Sequence, residues 1–245
     1  MNTNELIKLR TMAGLPTPLD AFTVFPFTLR EIVQYGYDKH NQHLHILTLD
    51  ISSLLSPQDF SRLSPHFSLY DLALVDTNYL TLFVGALLYF LREKEIHYDS
   101  ELGFVFGDIS DSKIISKDNF VELIEIIKIQ NNYHSIEEND YKPANSGAEK
   151  IKQILLAGRK RVQEVKSRSN AIQEESLSLL DLISITSANA NGISIFNVFD
   201  MNMVQFNDQF NRMKLLEDYQ VNIQALMHGA DSKSIELKHW MTKIK

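Results

Sequence analysis

Between Phe199 and Leu226 the chain sets Phe206, Phe210, Met213, Leu216, Tyr219, Ile223 and Leu226 three or four residues apart. Because a helix turns once in about 3.6 residues, that spacing puts all of them on one face of a helix roughly seven turns long. Gly229, after His228, is the expected stop, since glycine enters the left-handed conformation without a Cβ clash. The helix is therefore expected from about Met201 to His228. A stripe of this kind ordinarily faces a core. Where part of it stays exposed, its mixture of Phe, Met and Tyr makes an adaptable surface for holding other helices.

The rest of the chain reads as further helices and one hairpin. Thr28 followed by Glu31 has capping-box spacing, so a helix should start there with Leu29, Ile32 and Val33 facing inward. Ser56-Pro57 and the pair Ser68 and Asp71 mark two more starts. The most hydrophobic run, Tyr79 to Leu91, is too short to span a bilayer, which takes about 20 apolar residues, and is expected as a buried helix. The start of the chain lacks an apolar stretch of signal-peptide length, so secretion is not expected. From Glu95 to Asp108, aromatic and β-branched runs flank Asp99, Ser100 and Gly103, the pattern of a β-hairpin. A helix from about Asp118 to Gln130 carries Phe120, Leu123, Ile126 and Ile127 on one face and should pack on that hairpin. The expected fold is mainly α, with a small β-hairpin in the N-terminal half.

Residues 131–147 hold few large apolar side chains to offset the entropy of ordering them. The expected division is an N-terminal helical domain with the hairpin over 1–133, a polar linker over 134–147, and a C-terminal helical region over 148–245. Within the last, 148–191 is expected as one long helix or two, ending at Asn191-Gly192. The tail from Asp231 to Lys245, with the only Trp, is expected to dock on its own fold.

Composition narrows the chemistry. A net charge of -7 argues against a dedicated nucleic-acid binder, and the absence of cysteine excludes disulfides and thiolate metal sites. Three groupings remain. His40 and His43 share a helix face, a spacing that suits zinc, but His45 points away and no third ligand is evident. The expectation is no metal, with partly charged histidines held at a helix C-terminus by its dipole. Lys150, Lys152, Arg159, Lys160, Arg161, Lys166 and Arg168 stand against Glu149 and Glu164 alone. Such charge can grip nucleic acid or an acidic partner, yet no aromatic side chain interleaves it to stack on bases. The segment Gly107 to Lys113 has neither calcium-loop nor phosphate-loop spacing and reads as a polar turn. No nucleophile elbow, Walker loop, zinc-protease motif or dinucleotide fingerprint occurs. A non-catalytic protein without cofactor is expected.

The run Asp200 to Arg212, with Glu217-Asp-Tyr219, Gln224 to Asp231 and Leu237-Lys-His-Trp-Met241, resembles the C-terminal pattern of tail assembly chaperones and related tail-morphogenesis proteins of long-tailed bacteriophages. Phe25 to Tyr37 resembles the opening helix of the same group. The resemblance implies a chaperone that binds the long helical tape measure protein in the host cytoplasm and is displaced as tube subunits polymerise. Neither a membrane nor nucleic acid is expected as a partner, on the short apolar run and the net charge, and Phe206, Phe210, Met213, Tyr219 and Trp240 are the partner-binding candidates on residue type. The alternative is a structural component of the virion tail or baseplate. A third reading is a nucleic-acid-associated regulator using the 150–168 stretch.

Overall fold

The computed structural model describes residues 2–51, 67–107, 112–133, 177–190, 192–229, 237 and 239–242. The helix start at Ser56-Pro57, the linker 134–147, the basic stretch 150–168 and the tip of the 107–113 turn lie outside the described residues. Among those described are eight α-helices and five short strands, and the protein is mainly α. In chain order these are α1 (Thr3–Met12), β1 (Thr17–Leu19), β2 (Phe22–Val24), α2 (Leu29–Tyr35), α3 (Tyr37–Thr48), α4 (Leu69–Val75), α5 (Thr77–Leu91), β3 (Ile96–Asp99), β4 (Gly103–Phe106), β5 (Lys113–Ile115), α6 (Lys117–Gln130), α7 (Leu179–Asn189) and α8 (Met203–Met227). A 3-10 turn over Val198–Asp200 precedes α8.

The helix starts follow their caps. Thr28 and Glu31 form a reciprocal capping box at α2, and Ser68 and Asp71 form another at α4. The α2 helix ends sooner than its sequence pattern suggests, because Gly36 sits at φ 110° and turns the chain into the separate helix α3. Val33 consequently faces solvent, while Leu29 and Ile32 are buried as expected. α5 is apolar nearly all round and forms the middle of the core, where Phe83, Ala86, Leu87 and Phe90 are shut from water. It packs against α3, α4 and β2. Phe83, Phe104 and Phe120 meet with ring centroids 5.2 to 5.3 Å apart, which joins α5 to β4 and α6.

The expected hairpin is present as β3 and β4, with Asp99 opposite Gly103. β5 adds a third antiparallel strand through Phe104 opposite Ile115, and β1 with β2 makes a separate two-stranded hairpin. Gly103 is constrained twice. It holds φ 101°, and a Cβ there would lie 2.5 Å from the Tyr70 hydroxyl and 2.7 Å from the Ile115 carbonyl.

Contacts divide the chain into two compact units. One joins Met1–Tyr133 to Ile183–Lys245, and the other spans His134–Leu182 and is described only from residue 177. The expected division set 148–245 apart, whereas Ile183–Lys245 here belongs with the N-terminal residues. The physical reason lies at the start of α8. The Asn202 side chain accepts from the Gln205 N–H at 3.0 Å as the helix cap, and its amide donates to the Thr11 carbonyl at 2.7 Å. Gln205 returns the cap bond and donates to the Met12 carbonyl at 2.9 Å. The Leu29 N–H donates to the Met201 carbonyl at 2.8 Å, and Thr28 and Asn202 form an antiparallel bridge.

Two substitutions test this account. Asn202→Asp keeps the cap acceptor but removes the donor to Thr11, and should lower unfolding free energy by about 1–3 kcal/mol in urea denaturation. Gly103→Ala should cost roughly 2–4 kcal/mol, from strain at positive φ added to the clash with backbone and Tyr70.

Candidate functional site

α8 is a 25-residue helix whose two halves differ. The first half is seated. Val204, Phe206 and Met213 are buried, with Phe206 only 1% exposed, and the helix packs against α1 and α6. Beyond Met213 no side chain of α8 is fully buried. The stripe nonetheless remains the less exposed face, since Leu216, Tyr219, Ile223 and Leu226 are half-buried while Val221 and Met227 stand out in solvent. The helix ends where the sequence indicates, with Gly229 at φ 91°.

The tail returns to the middle of this helix, at Arg212 and Tyr219. The Arg212 guanidinium donates to the Trp240 carbonyl at 3.2 Å and to the Thr242 carbonyl at 2.7 Å. The His239 ring lies 5.0 Å from that of Tyr219 and stacks beside the Trp240 indole. The described tail residues therefore dock in cis, and they leave Trp240 at 38% exposure with Met241 more open still.

The five sequence candidates thus separate. Phe206 and Met213 are committed to the fold, Phe210 and Tyr219 are half-buried, and Trp240 is exposed. The last three, with Val221, Met227 and Met241, keep apolar surface open to solvent on the helix and its docked tail, Val221 on the face away from the stripe. Val221 and Met227 went unremarked because they lie off the stripe, and only their exposure marks them.

The histidines behave otherwise than their sequence position implies. His40 and His43 lie in α3 rather than near the end of the α2 helix, and they face Tyr89 of α5. His40 is 2% exposed, with Nδ1 2.9 Å from the Tyr89 hydroxyl. His43 Nε2 is 2.7 Å from the Tyr35 hydroxyl, and its Nδ1 is buried without a hydrogen bond. Tyr89 stacks on Phe27 at 4.6 Å and on Tyr35 at 4.2 Å. Arg92 caps the group, its guanidinium 4.6 Å from the Phe27 ring and paired with Glu31 at 2.9 Å. Burial pushes His40 down to about 4, against the opposing effect of a hydrogen bond that the charged ring would donate to Asn131 and with a smaller push from His43. Burial lowers His43 and raises Tyr89 as well. Desolvation overrides the helix dipole here, so these imidazoles are neutral packing elements rather than partly charged ones. Among the described residues no group of three or more His, Asp or Glu is placed to hold a metal ion.

Residues 169–245 match the family model described as YomV second domain. The family is phage-derived, and the likeness points to a phage protein. The matched range contains α7, α8 and the docked tail. No curated protein and no solved structure matches the chain. Among the described residues no helix is long and apolar enough to cross a membrane.

The neutral histidines make stability depend on pH. Unfolded His40 takes up a proton near 6.5, whereas the folded one resists until about 4. Stability is therefore full above that unfolded value and falls as pH drops through the window below it, by on the order of 3 kcal/mol in all. Urea denaturation should show a loss of roughly 2 kcal/mol between about pH 7.5 and about pH 5. His40→Gln should flatten that slope, and an unchanged slope would show that His40 is not its source.

Proposed function

We propose that the chain is a non-catalytic tail assembly chaperone of a long-tailed phage, which holds the tape measure protein through the apolar surface of α8 and its docked tail. The observation that carries this reading is a long helix seated by its first half while its second half, with Trp240 and Met241, presents partly exposed apolar side chains. The phage-derived match over 169–245 and the resemblance to tail assembly chaperones support it. A helical client is suited to such a surface. Amphipathic helices bind by laying their apolar face into an apolar groove, and Met-rich surfaces repack to suit several registers. Contacts that are many and individually weak also suit a partner that must be released when tube subunits take over.

A structural part of the virion would need the same kind of surface but would not release its partner. Affinity capture of tagged protein from phage-infected or prophage-induced cells, beside mass spectrometry of purified virions, separates the two. Enrichment of a long helical tail protein, with this chain missing from particles, supports the chaperone. Fixed stoichiometry in particles supports the structural alternative. Within the chaperone reading, Met227→Asp and Trp240→Ala should each weaken capture by at least about tenfold, as loss of an interface anchor does, and leave the urea midpoint unchanged.

A further inference from the structure

Trp240 is the only tryptophan of the chain, and it is joined to α8 through its main chain. One nitrogen of Arg212, Nη1, donates to both the Trp240 and the Thr242 carbonyl, and among the described residues these are the hydrogen bonds between the tail and α8. Both carbonyls can face one nitrogen because the tail turns there. His239 Nδ1 accepts from the Met241 N–H at 3.2 Å, closing the turn from within much as an Asp or Asn side chain closes a turn two residues on. A cationic donor makes stronger hydrogen bonds than a neutral one, and carbonyls accept them whatever side chains the tail carries. With the main chain used for docking, Trp240 and Met241 keep their side chains 38% and 67% exposed.

The tail meets α8 at a second point. Tyr219 follows Arg212 by nearly two turns on the same helix face, about 10 Å along the axis, and its ring is 5.0 Å from that of His239. Two points of contact fix the direction of the tail as well as its place. A tail without that hold would have to be ordered on binding, which costs affinity, whereas a tail already held offers its side chains with less entropy to lose.

We infer that Arg212 is a positioning residue of the client surface: it holds Trp240 and Met241 in the orientation in which a helical client meets them. The inference rests on the tape-measure-binding reading above and adds to it the group that sets the tail part of that surface. Loss of Arg212 frees the tail without unseating the helix, because α8 is anchored separately through Asn202 and Gln205.

Arg212→Met in the tagged full chain tests this, since Met keeps an unbranched apolar stem and a similar helix propensity while removing the donors. Circular dichroism and the urea midpoint should match the parent protein. Because the indole is the only one in the chain, its fluorescence reports the tail alone. Acrylamide quenching should rise and fluorescence anisotropy should fall in Arg212→Met, with Arg212→Lys between that variant and the parent. Capture of the long helical tail protein, identified by mass spectrometry, should weaken by about tenfold, as loss of a pre-organised anchor does. In a Trp240→Ala background the same change should weaken capture clearly less than in the parent, because the side chain that Arg212 positions is gone. A parent that captures no tail protein removes the binding reading and this inference together. A parent that captures it while Arg212→Met captures equally well overturns the inference alone. Unchanged quenching, or a loss as large in the Trp240→Ala background as in the parent, overturns it too.

Discussion

The side chain of Asn202 is where distant parts of the chain become one structure. Its carbonyl oxygen starts α8 and its amide donates to Thr11, so the same residue that permits the helix also fixes it against α1. Asn202 is 2% exposed, so each bond forms in a place where an unmet donor or acceptor would be costly. Asp would supply only the cap and Ala neither bond. Gln205 repeats the double use one turn later. Because both residues bind backbone carbonyls at the end of α1, the orientation of α8 is set by main chain and does not rely on the apolar stripe alone.

The seated and unseated halves of α8 follow from this. Packing on α1 and α6 buries Phe206 and Met213, and the apolar side chains left open lie along the second half and on the tail that Arg212 holds beside the helix. The exposed ion pairs contribute little to stability, as such pairs generally do. The aromatic group around Tyr89 is different. It buries His40, half-buries His43, and so ties the packing of α2, α3 and α5 to solvent pH.

Much of the fold was legible because its signals are local. Capping boxes at Thr28 and Ser68, the apolar run of α5, the β3–β4 hairpin and the Gly229 stop each depend on a few neighbouring residues, and each appears where its pattern lies. The misses were non-local. The union of 183–245 with 1–133 depends on Asn202 meeting Thr11, a pairing across 191 residues that no periodicity encodes. The state of His40 depends on its burial in a cluster that includes Tyr89, 49 residues away. β1, β2 and β5 are three residues each, too short for an alternation to declare itself. Of the candidate surface, the helix and the tail were readable. Which faces of them stay exposed was not, since burial is decided by partners elsewhere in the chain.

Hydrogen exchange along α8, compared with α5 and α6 in the same sample, tests the central claim that this helix is anchored at its first half and open at its second. Amides from Val204 to Met213 should be protected nearly as well as those of α5, and those from Glu217 to Met227 should exchange markedly faster. Uniform protection along the helix, or fast exchange beginning at Val204, would contradict it.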